Sequence, residues 1–139
     1  MLALEVVQLP MSDVDKALAF YADRVGFALD VDYRPTDDFR VVQLTPPGSA
    51  CSIQLVVSTD RIHNLYLVTD DLAADREALL QHDVAVGPIR HKDAGDWTGG
   101  LVEGIDPEHR DYASFADFAD PDGNTWTLQE RGFAPEKGR

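Results

Sequence analysis

The sequence predicts an α+β fold made of two consecutive copies of one small unit. Each half of the chain reads as a strand, an amphipathic helix and then further strands. With an offset of 58 residues, Met11–Val14 aligns with Thr69–Leu72, and the strands before them superpose. The chain also contains Asp120–Glu130, with the sequence DPDGNTWTLQE, in which turn residues are followed at once by a strand pattern. Together these observations predict an internal duplication.

The first half begins with a short apolar strand, Leu2–Pro10, and continues into a helix. Ser12 or Asp13 can cap this helix, because a side-chain oxygen there can accept a hydrogen bond from the first turn. Apolar residues recur at the spacing of one helical face, and Gly26 suits the left-handed position that ends a helix. The apolar positions are Val14, Ala17, Leu18, Tyr21 and Val25.

Three strands follow this helix. Turn-forming residues separate them, first at Pro35–Asp38 and then at Pro46–Gly48. The predicted strands are Phe27–Arg34, Phe39–Thr45 and Ala50–Val57.

The second half repeats the order, starting with the strand Asn64–Thr69 and a helix cap at Asp70 or Asp71. The helix is marked by Leu72, Ala73, Arg76, Leu79 and Leu80. Val84–Arg90 is then predicted as a strand, and His91–Asp111 is a long polar stretch rich in glycine and charge. Loops of this length inside a compact domain are usually functional or disordered.

A hairpin closes the second half. Ala113–Ala119 has a strand pattern, and the Asp-Pro-Asp-Gly sequence after it can form the turn. In the strand that follows, one face is apolar and the other is polar but uncharged. The apolar face presents Trp126 and Leu128, and the polar face presents Thr125, Thr127 and Gln129. An uncharged polar face suits a ligand cavity better than a surface in bulk water.

Composition bounds the class of protein. The chain has 139 residues, 44% of them hydrophobic, which is the size of one globular domain. No apolar run is long enough to span a membrane and the N-terminus lacks a secretory signal, so we expect a cytoplasmic protein. Its single cysteine, Cys51, cannot form an internal disulfide. The net charge of −13 disfavours nucleic acid and anionic membranes as partners.

Two stretches carry a resemblance to a known family, LPMSDVDKALAFYADRVGF near the start and FADPDGNTWTLQE near the end. With the order of elements, they make the chain resemble the vicinal oxygen chelate superfamily, which includes glyoxalase I, extradiol dioxygenases, fosfomycin-modifying enzymes and bleomycin resistance proteins. The resemblance covers about Leu4–Glu130. It implies one glyoxalase-like domain, 1–139, made of two βαβββ modules, about 4–57 and 63–130, that each curl a sheet into a half-barrel around a cavity. It also implies a homodimer.

The resemblance further implies four positions at which the family holds a divalent metal with His and Glu side chains. These positions fall at Val6, Gln54, Asn64 and Thr127. None of them is His, Asp, Glu or Cys, so we expect neither the usual metal site nor another cofactor. A one-residue shift would bring His63 to a ligand position, but it would also turn the side chains of its strand to the opposite face.

Alternation from these four positions predicts the side chains that line the cavity. The set carries amides, hydroxyls and a phenol, with no side chain that ionises near neutral pH, and such groups orient a ligand by hydrogen bonds. The set is Val6, Gln8, Ser52, Gln54, Val56, Asn64, Tyr66, Thr125, Thr127 and Gln129. Structural alternatives stay open: Gln8 and Gln129 at a solvent-exposed edge, Asn64 as the start of its strand, and Tyr66 as a packing residue.

The long polar stretch gathers cationic and aromatic groups in an otherwise acidic chain. Trp97 can stack on a planar ligand and Arg110 can bind a ligand carboxylate, with Gly99–Gly100 as a hinge. His91 and His109 are the candidate catalytic residues, because histidine titrates near neutral pH. The alternative is a solvated loop whose cations pair with neighbouring acids.

The sequence therefore leaves several functions open. The first is a metal-free relative of the family that binds a small organic molecule in its cavity. The second is a metal-independent enzyme that uses His91 or His109 for acid–base chemistry. The third is a metal-dependent lyase or dioxygenase with displaced ligands, drawn from His63, His91, Glu103 and His109. The fourth is an interaction module whose cavity is filled by its own side chains.

Overall fold

The computed structural model of the chain describes residues 1–93 and 100–134. It has two compact units, one formed by Met1–His63 with Asp120–Asn124 and the other by Asn64–Ala119 with Thr125–Arg139. The first unit holds a four-stranded sheet, here called sheet 1, and the second a five-stranded sheet, called sheet 2. Each unit also contains one short helical region. The predicted α+β class is confirmed.

The first unit has the predicted order of strand, helix and three strands. Its elements are β1 (Val6–Met11), α1 (Val14–Ala19) with a π-helical continuation (Phe20–Val25), β2 (Ala28–Thr36), β3 (Phe39–Thr45) and β4 (Ser52–Val57). The strands lie in the order β1-β4-β3-β2. β1 pairs with β4 in parallel, and the other pairs are antiparallel. The first strand starts at Val6 rather than Leu2, and the residues before it are exposed, although the carbonyl of Glu5 accepts a hydrogen bond from the N–H of Ser52 on β4.

The helix of the first unit begins and ends at predicted residues. Asp13 is the N-cap, and its carboxylate accepts hydrogen bonds from the backbone N–H groups of Asp15 and Lys16. Gly26 ends the helical region with a left-handed backbone, φ 89°, which a residue without a Cβ adopts at little cost. The N–H of Gly26 donates to the carbonyl of Tyr21, five residues earlier, so the last turns are π-helical rather than the expected α-helix.

One face of sheet 1 is covered and apolar. Leu9, Leu44 and Leu55 are 0–3% exposed on this face, and the helix packs along it. The segment 120–124 belongs to the same unit and is held by buried polar contacts. The hydroxyl of Tyr21 donates to Asp120 Oδ2 at 2.6 Å, and Asn124 Nδ2 donates to the carbonyl of Pro10 at 2.7 Å. We call this side the covered face of sheet 1.

The second unit has one strand more than predicted. Its elements are β5 (Leu65–Thr69), α2 (Leu72–Gln81), β6 (Arg90–Lys92), β7 (Leu101–Glu103), β8 (Ser114–Ala119) and β9 (Thr125–Glu130). The strands lie in the order β5-β9-β8-β6-β7. β5 and β9 are parallel, as β1 and β4 are in the first unit, and the other pairs are antiparallel.

Helix α2 covers one face of sheet 2. Asp71, rather than Asp70, is its N-cap and accepts from the N–H of Ala74. Leu72 and Leu79 are buried on the helix, and Trp126 and Leu128 are buried on β9. We call this side the covered face of sheet 2. Among the described residues, no helix is long and apolar enough to cross a lipid bilayer.

The predicted strand Val84–Arg90 is wrong for most of its length, since only Arg90 lies in a strand. Val84 and Val86 are buried as a strand pattern implies, but the N–H of Val86 donates to the carbonyl of Val84 instead of to a neighbouring strand. The N–H of Gly87 does donate to the carbonyl of Asp117 on β8, but the following Pro88 has no N–H with which to continue a ladder. The prediction of His91–Asp111 as a loop is also partly wrong, because β6 and β7 pair within it.

Candidate functional site

The face of sheet 1 opposite the covered face carries a row of glutamines, and we call it the open face of sheet 1. Gln8, Gln54 and Gln43 are cross-strand neighbours on β1, β4 and β3. Gln8 Nε2 donates to Gln54 Oε1 at 3.1 Å. Gln8 is exposed and Gln54 is half-buried, so the structure brings these predicted ligand-binding residues together at an accessible surface.

A row of hydroxyl groups lies beside the glutamines on the open face of sheet 1. Thr45 and Ser52 form a hydrogen bond between their hydroxyl oxygens at 2.6 Å, and Thr45 also donates to Asp30. Val6 is the register partner of Ser52 on β1. Gln43 and Thr45 share this face but are outside the predicted set, because alternation was counted from four positions of which none lies on β3.

The corresponding open face of sheet 2 presents the remaining predicted strand residues. Tyr66 and Thr127 are register partners, and Gln129 lies two residues further along β9. Tyr66 is 59% exposed, whereas Thr127 is 4% exposed and uses its hydroxyl in a hydrogen bond to Asp117 Oδ1 at 2.8 Å. Asn64 precedes β5 with a left-handed backbone, φ 62°, and its N–H donates to Thr125 Oγ1 at 2.7 Å.

The open face of sheet 2 also carries charge, which corrects the prediction of a face without ionisable groups. Asp117 is the register partner of Thr127 on β8, and Arg90 forms an ion pair with it at 2.6 Å. Asp117 was predictable, since the turn between β8 and β9 pairs Ala119 with Thr125 and therefore Asp117 with Thr127. The position of Arg90 was not predictable, because the sequence pattern placed it at the end of the strand Val84–Arg90, most of which does not form.

The residues at the four family metal positions do not fit a metal ion. Val6 has no donor atom, the Oε1 of Gln54 accepts from Gln8, and the hydroxyl of Thr127 donates to a carboxylate. Asn64 is exposed and offers only a weak amide ligand. Over residues 1–93 and 100–134, no three or more His, Cys, Asp or Glu side chains are grouped so that they could hold a metal. The alternative set of His63, His91, Glu103 and His109 is therefore not assembled there.

The two candidate catalytic histidines lie on the covered side of sheet 2. His91 is the register partner of Ser114, one residue out of phase with Arg90, so it points to the face opposite that of Asp117. Its Nδ1 lies 2.7 Å from the carbonyl oxygen of Gly104. Glu130 alternates with Gln129 on β9, so its side chain lies on the covered face, where it is 1% exposed. His109 lies on the same side because it contacts Glu130.

His109 and Glu130 form a tightly held pair. The Nδ1 of His109 is 2.7 Å from Glu130 Oε1, and the imidazole stacks on Phe133 with a centroid distance of 3.7 Å. The other carboxylate oxygen of Glu130 accepts from the N–H of Leu72 at the start of α2. His109 has a left-handed backbone, φ 49°, so the loop adopts a conformation that non-glycine residues disfavour in order to make this contact.

Arg110 is engaged within its own loop. Its Nε donates to Asp106 Oδ2 at 2.7 Å, and its NH2 group donates to the carbonyl of Lys92 at 2.9 Å. Burial acts to raise the pKa of Asp106, but the hydrogen bonds from Arg110 and from the N–H of Glu108 outweigh it, and the pKa lies below its ordinary value. The alternative prediction was that the cations of this stretch pair with neighbouring acids, and Arg110 does form an ion pair, with Asp106. Trp97 and Gly99 of the predicted lid lie outside the described residues.

A cavity of about 440 Å³ lies elsewhere in the first unit. It is bounded by the β2–β3 turn, the end of β4 and the first turn of α1, with Phe39, Leu55 and Val57 among its apolar walls. Arg40 at its rim forms a bidentate ion pair with Asp32, and this hydrogen bonding holds the pKa of Asp32 below its ordinary value. Gln8 and Gln54 do not line it, so this cavity is separate from the glutamine row.

Comparisons with known proteins agree with this architecture. The chain is 29% identical to TnmS3, an antibiotic-binding protein from Streptomyces sp. CB03234, with a TM-score of 0.67 over 94% of this chain and 96% of that one. It is 30% identical to a glyoxalase/bleomycin resistance protein from the same organism, with a TM-score of 0.65 over 91% and 99% of the two chains. A superfamily member from Sphaerobacter thermophilus, at 22% identity and a TM-score of 0.70, covers 94% of this chain and 98% of its own and shares the fold.

No curated protein matches the chain. The family profile that matches it describes the Glyoxalase/Bleomycin resistance protein/Dioxygenase superfamily and covers residues 3–128, which is most of the sequence. The resemblance seen in the helix and turn motifs is therefore confirmed, as is the glyoxalase-like fold. The chain belongs to the Glyoxalase/Bleomycin resistance protein/Dioxygenase superfamily.

Proposed function

We propose that this protein binds small organic molecules, and that the polar side chains on the open face of each sheet contact them. The observation that carries the proposal is the accessible, hydrogen-bonded arrangement of uncharged side chains, best seen in the contact between Gln8 and Gln54. Amides and hydroxyls on a rigid sheet orient a ligand by hydrogen bonds and are weak nucleophiles and bases. The likeness to TnmS3, an antibiotic-binding protein, supports the same class of function.

The proposed ligand-binding residues are the strand residues predicted from sequence, together with Asp117 and Arg90. On sheet 1 they are Gln8 and Gln54, and on sheet 2 they are Tyr66, Thr127 and Gln129. Asn64, Trp97 and Arg110 stay predictions. For Arg110, the side chain already donates to Asp106 and to the carbonyl of Lys92 within its loop.

A fluorescence titration tests this function. The probe is N-phenylnaphthylamine, an uncharged aromatic amine whose emission rises on transfer to apolar surroundings. We expect saturable binding to the wild type and an affinity about 3- to 10-fold lower for Gln54→Ala, because the variant loses a hydrogen-bonding group from the face. The matched control is Gln81→Ala on the exposed surface of α2, which should bind as the wild type does. A non-saturable titration would contradict the proposal.

Metal content provides a second test. The protein is incubated with nickel, zinc, manganese and ferrous iron, desalted, and measured by elemental analysis. We expect substoichiometric metal, since the residues at the family ligand positions do not form a suitable donor set. Near-stoichiometric metal would overturn the metal-free proposal and favour lyase or dioxygenase chemistry with displaced ligands.

The second candidate function is acid–base catalysis by His109. It is favoured by one observation, the buried carboxylate of Glu130 that holds the imidazole at 2.7 Å, since an oriented histidine is a common general base. If turnover of any substrate is found, we expect His109→Gln to abolish it and His82→Gln, an exposed histidine on the second unit, to leave it unchanged. His91→Gln tests the other candidate. Unchanged turnover in both His109→Gln and His91→Gln would exclude this mechanism.

Three further properties stay proposals. We propose that the chain forms a homodimer, that its two modules constitute one domain, and that it resides in the cytoplasm. Light scattering coupled to size exclusion tests the first, and a mass of one chain at every concentration would contradict it. A single cooperative unfolding transition by two spectroscopic probes tests the second.

A further inference from the structure

A chain of hydrogen bonds fixes one guanidinium on the open face of sheet 2. The buried hydroxyl of Thr127 donates to Asp117 Oδ1 at 2.8 Å, and the NH2 group of Arg90 donates to Asp117 Oδ2 at 2.6 Å. Both carboxylate oxygens of Asp117 are therefore engaged. Because Thr127 is 4% exposed and lies in the middle of β9, this arrangement is anchored in the sheet.

The ion pair itself is accessible to solvent. The side chains of Arg90 and Asp117 are 32% and 45% exposed, and pairs at such positions contribute little to stability. The larger consequence is position, since the contact from NH2 to Asp117 Oδ2 holds one end of the guanidinium against the sheet. Within the part of the chain that the structure describes, the Nε and NH1 groups of Arg90 have no hydrogen-bond partner. They are donors available to a ligand.

The charges around Arg90 select the kind of acceptor. Asp117 contacts the guanidinium, Glu103 is its register partner on β7, and Lys92 lies two residues further along β6, so the formal charges of these four residues cancel. The whole chain carries −13, which repels an anion that approaches this face. A cation would have to compete with Thr127 and Arg90 for the oxygens of Asp117. An uncharged oxygen acceptor needs only the free donors of Arg90.

We propose that Arg90 is a specificity-determining residue that donates a hydrogen bond to an uncharged carbonyl oxygen of the ligand, and that Asp117 is the positioning residue that aligns it. This inference rests on the proposed ligand-binding function. The neighbouring side chains suit an aromatic or apolar ligand body, because Phe115 is half-buried as the register partner of Arg90 and Tyr66 is exposed on the same face. The ligand class is then a neutral aromatic molecule bearing a ketone or similar carbonyl.

Three fluorescent naphthalene probes separate the possibilities. Prodan carries a ketone, N-phenylnaphthylamine carries no carbonyl, and anilinonaphthalene sulfonate carries an anion. We expect the wild type to bind Prodan more tightly than the sulfonate. The emission of bound Prodan should also lie at longer wavelength than in Arg90→Met, because hydrogen bonding to its carbonyl shifts emission in that direction.

Single substitutions test each residue of the hydrogen-bonded series Thr127, Asp117 and Arg90. Arg90→Met should weaken Prodan binding about 10-fold and leave N-phenylnaphthylamine within about twofold. Asp117→Asn and Thr127→Val should weaken Prodan by smaller factors in the same direction, since the guanidinium remains but is less well oriented. Arg24→Met, an exposed arginine in the helical region of the first unit, is the matched control and should bind all three probes as the wild type does.

The outcomes are distinguishable. Equal Prodan affinity and emission in wild type and Arg90→Met, with N-phenylnaphthylamine bound by both, would overturn the role of Arg90 and leave the binding function standing. Tighter binding of the sulfonate than of Prodan would overturn the choice of a neutral acceptor. Failure of the wild type to bind any probe would overturn both proposals. Near-ultraviolet circular dichroism of each variant verifies that the sheet is folded.

Discussion

The covered and open faces of sheet 1 differ in the polarity of their side chains and, for neighbouring residues, in burial. On β4, Leu55 is 3% exposed on the covered face, while its neighbour Gln54 is half-buried on the open face and accepts a hydrogen bond from Gln8. Sheet 2 repeats the contrast, with Leu128 buried on one side of β9 and Gln129 half-buried on the other. One face of each sheet therefore stabilises the fold by burying apolar side chains, whereas the other presents mostly polar side chains.

The largest expected effect comes from removing covered-face volume. Leu55→Ala should lower the free energy of unfolding by about 2–5 kcal/mol, because it leaves a cavity under the helix. The adjacent open-face change Gln54→Ala should lower it by less than about 1 kcal/mol. Urea unfolding followed by circular dichroism measures both. Equal losses of unfolding free energy in the two variants would contradict the proposed difference between the two faces.

A matched pair of tyrosines sharpens the comparison in the first unit. Tyr21→Phe should cost about 1.5–3 kcal/mol, because the buried hydroxyl of Tyr21 donates to the carboxylate of Asp120 at 2.6 Å. Tyr33→Phe on β2 should change stability by less than about 0.5 kcal/mol, since Tyr33 is 57% exposed. Thermal unfolding of the two variants provides the measurement. A larger loss for Tyr33→Phe would be inconsistent with the burial that defines the covered side.

The covered side of sheet 2 should also show a pH dependence. The pKa of Asp106 is lower in the folded chain than its ordinary value, so its contribution to stability is present at neutral pH and is lost as pH falls through the folded pKa. Asp106→Asn should therefore be less stable than the wild type at neutral pH, with the difference shrinking in acid. Urea unfolding at pH 7, 5 and 3 tests the sign, and a difference that grows in acid would refute it.

The smallest stability effect is expected on the most exposed glutamine of the open face. Gln8→Ala removes one hydrogen bond, to Gln54, at an exposed position and should change stability by less than about 0.5 kcal/mol. Its affinity for N-phenylnaphthylamine should nevertheless fall by about 3-fold, since it removes a polar contact from the proposed site. A loss of stability without a loss of affinity would show that the glutamine row serves the fold alone.

Much of the fold could be predicted because its signals are local. Asp13, Asp71 and Gly26 fulfil cap roles that depend on neighbouring backbone groups, and each N-cap is one of the two residues that the pattern allowed. The Asp-Pro-Asp-Gly turn likewise fixes the β8–β9 register. β6 and β7 escaped prediction because three-residue strands carry little pattern of their own and form by pairing with distant segments.

In the candidate site, the residues that share a face were predictable where alternation along a strand decided it, as for Gln8 with Gln54 and Tyr66 with Thr127. Arg90 depends on a strand that the sequence did not reveal. The contact between His109 and Glu130 depends on a left-handed backbone at His109, which no short-range pattern specifies. Side-chain positions that depend on irregular loops could therefore not be predicted from sequence patterns.

The proposed function requires ligand contact with the open face of sheet 1 or of sheet 2. The most direct measurement is a two-dimensional 1H–15N spectrum of the protein during titration with N-phenylnaphthylamine, because glutamine side-chain amides give their own signals. We expect the largest shifts on the side-chain amides of Gln8 and Gln54 in sheet 1 and on the backbone N–H groups of Thr127 and Asp117 in sheet 2. Shifts confined to Phe39 and its neighbours in the 440 Å³ cavity, or to the covered faces, would contradict it.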